Sequence, residues 1–268
     1  MSMSQLKELM GGQSVGCGGV ITSGRWTLDV EADFALSVAP EQHAELLIYR
    51  PLRDAKGAIR VERGATLDVV HVVSEANQSA LDITLAEGAL CRVTEVVVAP
   101  SDVQITANLS GCGARYEQRG VFVLTDEEKG RVKVNVRHLV SDCTSSTLVK
   151  GVASGAARGS FEGMVYVAPD AQRTDAEQTS RNVVIGTAHI DTQPQLEIYA
   201  DDVKCSHGAT VGQMDAEAIY YMRQRGISLS EAKRLQIEGF VSDVVMHSTI
   251  ERLVEPLQDI LTAKFSQL

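Results

Sequence analysis

The sequence predicts a mainly β protein with a helical C-terminal end. From residue 13 to about residue 212, short segments alternate apolar and polar residues with a period of two, as strands with one buried face do. Gly, Asp, Asn, Ser and Pro separate these segments, and no convincing 3.6-residue period interrupts them. From Gln213 onward the pattern becomes helical. The predicted units are therefore an N-terminal helix or arm over 1–12, a β body over 13–212 and a helical domain over 213–268.

The β body alternates most clearly in Thr66–Val73, Arg131–Arg137 and Gly163–Val167. A sandwich, a barrel and a solenoid all accommodate this pattern. The Asn-Gly and Asp-Gly turns typical of tight hairpins are absent. Small and β-branched residues suit stacked narrow coils, although no clean sequence repeat marks them. The pattern by itself leaves these architectures open.

Capping residues predict the helices of the C-terminal domain. Asp215 is a good N-cap for a first helix, and Gly226 is a natural terminator. Ser228–Glu231 matches a capping box for a second helix. Ser248–Glu251 matches another and predicts a third helix that starts there, with Pro256 as a kink or restart point.

Composition excludes several classes of function. With 35 acidic and 25 basic residues, the net charge of −10 argues against a general nucleic-acid binder. Five dispersed cysteines without a CxxC pair argue against a disulfide framework. No secretory signal and no apolar run long enough to span a membrane are visible, so we expect a protein of the reducing cytoplasm. The glycine-rich segment 14–19 lacks the GK[ST] ending of a P-loop, and no GxSxG elbow occurs.

The segment Lys204–Thr210, KCSHGAT, concentrates reactive side chains. If it is extended, Cys205 and His207 face the same side and form half of a metal site, or the histidine lowers the pKa of the thiol. Alternatively, Cys205 is a small buried hydrophobe and His207 a turn residue. Glu197 and Asp202 are weaker candidates, since acids at strand ends are usually solvated.

The run from Pro194 to Gly212, PQLEIYADDVKCSHGATVG, resembles the signature of the SufB/SufD family of iron–sulfur cluster assembly proteins, nearest to the SufD branch. Two further stretches are similar to that family: RGSFEGMVYVAPDAQRTDA before the signature and DAEAIYYMRQRGI after it. The resemblance implies a right-handed parallel β-helix followed by a helical domain. It also implies a scaffold and not an enzyme, with ATP hydrolysis belonging to a SufC-type ABC ATPase bound to the C-terminal helices.

In this resemblance the histidine of the motif, His207, is implicated in assembly of a nascent, transient iron–sulfur cluster, with Cys205 beside it near the pairing interface. No tightly bound cofactor is expected. We expect the chain, which is short for the family, to pair with itself or with a SufB-type paralogue. The alternative is a purely structural subunit of a SufB–SufC–SufD complex. A carbohydrate-active β-helix is disfavoured because aromatic residues are scarce.

The predicted ATPase-docking surface lies in the helical domain. It combines an apolar stripe with flanking cations, and part of that stripe must pack on the β body instead. Its members are Met214, Tyr220, Tyr221, Arg223, Arg225, Lys233 and Arg234.

Overall fold

Two parallel sheets form the body of the protein. The structure, a computed structural model, describes residues 3–29, 32–49 and 54–267. Nine strands within these ranges form sheet A: β1 Gln13–Val15, β3 Gly24–Leu28, β5 His43–Ile48, β7 Thr66–Val73, β9 Leu90–Val97, β11 Arg115–Leu124, β13 Thr144–Ala153, β15 Thr174–Val184 and β17 Val203–Gly212. Eight more of the described strands form sheet B: β2 Gly18–Ile21, β4 Phe34–Val38, β6 Ala55–Val61, β8 Asn77–Leu85, β10 Ser101–Leu109, β12 Lys129–His138, β14 Arg158–Val167 and β16 His189–Ile198.

Consecutive strands alternate between the two sheets, and each strand pairs in parallel with the strand two places later. Thr66 of β7 pairs with Leu90 of β9, which pairs with Arg115 of β11. A chain that returns to the same sheet after every second strand winds as a flattened β-helix. The predicted solenoid is therefore confirmed. Its right-handed sense, which most parallel crossovers share, stays a prediction.

The turns stack as regularly as the strands. In sheet A, the residue two positions before the strand has a positive φ at Gly64, Gly88, Gly113 and Asp142, and Arg173, one position before β15, has a positive φ as well. Two of these are not glycine, and they stabilise each other. The Arg173 guanidinium donates to both carboxylate oxygens of Asp142, at 2.6 and 2.7 Å. The turn column therefore holds a left-handed backbone conformation with side-chain hydrogen bonds where glycine is missing.

The interior of the solenoid changes character along its axis. Aliphatic and aromatic side chains such as Leu67, Ile105 and Phe122 fill most of the middle coils, beside a buried polar group of His71, Glu95 and Gln118. Toward the C-terminal end, the inward positions of β13 and β15 carry polar side chains that remain almost fully buried. These are Ser145, Thr147, Gln178, Ser180 and Asn182. The last coils thus have polar side chains on the inner face of sheet A, opposite apolar residues of sheet B such as Phe161 and Val165.

The helices lie along the outer face of sheet A. They are α1 Met3–Met10, α2 Ala216–Gln224, α3 Leu229–Met246, a 3-10 turn Glu251–Leu253 and α4 Val254–Phe265. A second apolar core joins Val70, Val96 and Val121 of the sheet to Val241 and Leu257 of the helices. The C-terminal helices follow β17, which ends at Gly212, and they share a core with the β body.

Buried lysines fasten the helices to the solenoid. Lys150 of β13 donates to the carbonyl oxygen of Phe240 at 2.6 Å and to the Asp243 carboxylate at 2.7 Å. Lys264 of α4 reaches the Glu128 carboxylate in a turn of the solenoid, at 2.7 Å. Both lysines are less than a tenth exposed, so their charges are balanced by these contacts.

Two of the three predicted helix starts are confirmed. The Asp215 carboxylate accepts from the backbone N–H groups of Glu217 and Ala218, and the Ser228 hydroxyl accepts from Glu231. The predicted start at Ser248 is wrong, because its buried hydroxyl has no partner among the described residues. The last helix begins instead at Val254.

Pro256 explains this later start. It lies in the first turn of α4, where backbone N–H groups have no intrahelical acceptor and a proline is tolerated. Pro256 is therefore compatible with an α-helical start at Val254, directly after the 3-10 turn Glu251–Leu253.

Candidate functional site

The C-terminal end of the solenoid is open. In the part of the chain that the structure describes, β16 pairs with β14 alone and β17 pairs with β15 alone. Both therefore present a free edge at the same end of the molecule. Apolar side chains are exposed there, with Ile198 at 38% and Val211 at 45% of full exposure. Free strand edges beside exposed apolar side chains are typical of a surface that another chain covers.

Cys205 and His207 lie in this terminal coil and face the interior side. Cys205 packs with Leu196 and Val203 against a small apolar cluster that includes Val165 and Ala176. His207 is two residues further along the same strand and so shares this face, but it is exposed because no coil covers it. The shared orientation expected from their spacing is confirmed.

The environment of Cys205 disfavours a nucleophilic role. Burial raises the pKa of the thiol above its ordinary value, and the negative charge of Asp175 raises it further. A catalytic cysteine needs the opposite shift, because the thiolate is the nucleophile. A metal ion that displaces the proton remains compatible with this environment, since thiolate ligation and proton release are coupled.

The two acidic candidates, Glu197 and Asp202, do not lie on the same face as Cys205 and His207. Glu197 of β16 pairs in register with Tyr166 of β14 and is exposed on the outer face of sheet B, next to the inward-facing Leu196. Asp202 lies in the turn before β17, where its backbone carbonyl accepts from the N–H of Arg173 at 2.6 Å. Among the described residues, no group of three or more His, Cys, Asp or Glu side chains is arranged to hold a metal ion. Within the described residues, the terminal coil therefore offers two candidate donors, Cys205 and His207, fewer than iron–sulfur clusters use.

The other cysteines lie elsewhere in the solenoid. Cys91 and Cys143 are buried, whereas Cys17 and Cys112 are exposed in turns. His189, at the start of β16, pairs with Asp191 at 3.0 Å.

The predicted docking residues divide between two helices. Tyr220 and Tyr221 of α2 are exposed at 65% and 59%, and the Arg225 guanidinium stacks 3.7 Å from the centre of the Tyr221 ring. Arg223 is also exposed. Helix α2 buries none of its own residues, so its surface is available to a partner.

Helix α3 is more engaged with its own chain. Arg234 forms ion pairs with Glu231 at 2.6 Å and Glu238 at 2.7 Å, Lys233 is half-buried, and Met214 before α2 packs on the second core. Beside it, sequence reasoning missed a groove of about 550 Å³ between α3 and α4. Its apolar lining includes Leu235, Val245, Leu261 and Phe265.

Comparison with known proteins agrees with this arrangement. A family model described as the SufBD core domain of SUF system FeS cluster assembly matches residues 19–240. The chain belongs to the SufBD core domain family. Within this family it is similar to SufD of Escherichia coli, with 46% identity over 110 residues, which cover 41% of this chain and 26% of that protein. SufD of Bacillus subtilis is 32% identical over 160 residues, which cover 59% and 37% of the two chains.

A SufBD family protein of Mycobacterium leprae covers more of this chain. It is 30% identical over 221 residues, which cover 75% of this chain and 56% of the relative. The matches to these relatives thus span between a quarter and just over half of their length. Membership in the SufBD family connects the chain with iron–sulfur cluster assembly. In addition, no described helix is both long and apolar enough to cross a membrane.

Proposed function

We propose that this SufBD-family chain is a scaffold on which a nascent iron–sulfur cluster is assembled at the open end of the solenoid. One observation carries the proposal: Cys205 and His207 face the interior side of an uncovered edge strand. A thiol and an imidazole are both iron ligands in such clusters. The cluster is cargo, held until it passes to a recipient.

The missing ligands come from a second chain that covers the open end. Either a second copy of this chain or a SufB-type paralogue fits, because both place another solenoid end against β16 and β17. A two-fold pair would bring two thiols and two imidazoles together, which matches the four ligands of a [2Fe–2S] cluster. The exposed Ile198 and Val211 would be buried in the same contact.

Reconstitution with iron and sulfide tests the cluster site. Replacing Cys205 by Ser, or His207 by Ala, removes one donor from each chain and should lower the bound iron and sulfide several-fold. The matched control is Cys112→Ser, an exposed thiol in the turn before β11, which should load as the wild type does. If both site variants retain wild-type visible absorbance and stoichiometry, the two residues do not hold the cluster.

Measuring the molecular mass of the chain in solution tests the pairing surface. Val211→Asp places a charge on the apolar open end and should convert a dimer into a monomer in sedimentation experiments. Val20→Asp, at a strand at the opposite end with 67% exposure, is the control. If the wild-type chain is monomeric alone but pairs with a SufB-type chain, and Val211→Asp abolishes that pairing, then the paralogue is the partner. Pairing that Val211→Asp leaves intact contradicts this surface.

A SufC-type ABC ATPase is the partner that we propose for α2, with ATP hydrolysis on that partner. Large exposed tyrosines beside an arginine are the residue types that dominate binding energies at interfaces. Replacing Tyr220 and Tyr221 together by Ala should weaken ATPase binding by tenfold or more, about 1.4 kcal/mol. Unchanged affinity in titration calorimetry would refute the assignment of this surface.

Point variants suit this test better than truncation. Deleting the residues after 213 would uncover Val70, Val96 and Val121 on the outer face of sheet A. A truncated chain could then lose binding simply because it aggregates.

The second candidate function is a structural subunit that completes the complex while a SufB-type chain carries the cluster. The observation that favours it is the donor count, since the described residues of one chain contain no group of three candidate ligands. The Cys205 and His207 variants separate the two functions. In a purely structural subunit they would leave cluster assembly by the complex unchanged.

A further inference from the structure

A layer of polar side chains lies immediately beneath the terminal coil. Gln178, Ser180 and Asn182 of β15 all face the interior and are at most 2% exposed. Asn182 is partly satisfied, because its amide donates to the Ser180 hydroxyl at 2.9 Å and to the carbonyl oxygen of Thr210 at 3.1 Å. Gln178 differs from it, since neither Oε1 nor Nε2 has a hydrogen-bond partner among the described residues.

The position of Gln178 relates it to the candidate site. It pairs in register with His207, so the two side chains are neighbours on the interior face of adjacent strands. Across the interior it lies against Gly163, where an added Cβ would come within 2.5 Å of the Gln178 amide atoms. Gly163 pairs in turn with Pro194 of the terminal coil. The glutamine therefore spans the interior just below the open end.

A second polar atom without a partner in the described residues lies on the facing sheet B. Thr192, two residues before Pro194 and on the same face of β16, has a buried hydroxyl with no partner in the described part of the chain. Gln178 of sheet A and Thr192 of sheet B thus leave hydrogen-bond donors unpaired within the last two coils of the interior, and Gln178 is the one in register with His207. An apolar side chain of the same shape at either position would carry no unpaired polar atom.

Buried polar groups in folded proteins are nearly always hydrogen-bonded, and an unmade bond disfavours the folded state. The glutamine and the threonine are therefore explained most simply by an acceptor that enters from the open end. Anionic sulfur is such an acceptor, and donors to cluster sulfur tune the reduction potential of a cluster.

We infer that Gln178 and Thr192 donate hydrogen bonds to the sulfide of the nascent cluster held by Cys205 and His207. This inference rests on the proposed function and assigns the two residues a positioning role beneath the iron ligands. The donors stabilise the reduced, more negative form of the cluster. Their removal should therefore shift the potential to more negative values.

The test variant is Gln178→Met, which keeps an unbranched side chain of similar size, with Thr192→Val as a second variant. In the metal-free protein we expect the melting temperature to stay unchanged or to rise, because no internal hydrogen bond is lost. In the reconstituted protein we expect faster loss of iron to a chelator. We also expect the midpoint potential to fall by about 59 mV, which for one electron corresponds to a tenfold change in the reduction equilibrium. Thr147→Val, a buried threonine of β13 farther from the open end, is the control and should change neither property.

The outcomes separate this inference from the proposed function. If Cys205→Ser and His207→Ala lose the cluster while Gln178→Met and Thr192→Val match the wild type in potential and chelator kinetics, only this inference is wrong. A large fall in the melting temperature of metal-free Gln178→Met would also overturn it, because the amide would then have a partner inside the protein. If the wild type fails to load a cluster, both proposals are wrong.

Discussion

His138 connects the stability of the solenoid to pH. Its side chain lies inside the body at the end of β12, with Nε2 2.8 Å from the Ser145 hydroxyl and Nδ1 without a partner in the described residues. Burial lowers the pKa of this histidine from 6.5 to about 4. The folded protein therefore holds it neutral at a pH where the unfolded chain is already protonated.

The sign and size of the effect follow from this difference in pKa. Below pH 6.5 the unfolded state binds the extra proton, so stability falls as the pH is lowered. Each pH unit is worth about 1.4 kcal/mol, and the loss between 6.5 and the folded value amounts to about 3 kcal/mol. Above pH 6.5 the contribution is fully present and constant.

Urea unfolding at a series of pH values from about 7 to about 4 measures this contribution. Other groups titrate in the same range, so the informative quantity is the difference between the wild type and His138→Gln. That difference should change by about 3 kcal/mol across the range, with the variant less sensitive to acid. Parallel curves for wild type and His138→Gln would refute the reasoning.

Two packing features give further predictions. Lys150→Met removes the charged donor to the Phe240 carbonyl and to Asp243. It should destabilise α3 by about 2 kcal/mol and speed the amide hydrogen exchange of this helix. Unchanged exchange would contradict the anchoring role. Gly163→Ala forces a Cβ against the Gln178 amide and should cost about 1–3 kcal/mol in urea unfolding. Gly208→Ala, which meets nothing within 4 Å, should cost far less, and equal losses would exclude the clash.

The parts of the fold that sequence predicted share a simple pattern. Thr66–Val73 and Arg131–Arg137 place mainly apolar residues on the inward face, with His71 as a polar exception, and both lie in strands. Strands β13 and β15 were not predicted because their inward positions are polar, as in Thr147 and Gln178. A period-two hydrophobic signal does not arise where a strand buries serine, threonine and amide side chains.

The candidate site was predictable to a similar extent. The spacing of Cys205 and His207 correctly predicts a shared face, because side chains alternate along any strand. Gln178 belongs to no sequence motif and becomes noticeable only when register places it under His207. Its lack of hydrogen-bond partners is a property of three-dimensional packing, which local sequence does not reveal.

The polar inner face of sheet A near the C-terminal end connects the stability of the solenoid with its proposed function. The coils beneath the helices have apolar side chains on both faces of sheet A, so they can fold without help from a ligand. The terminal coil has polar groups below it, and no strand in the described ranges pairs with its outer edges or covers it. Such a coil should be the first part of the body to open, and a partner or cargo at this end would stabilise it most. Hydrogen exchange of β16 and β17 should therefore slow on pairing or cluster loading, while β7 and β9 stay unchanged. Equal protection of all four strands in the unloaded single chain would contradict this division.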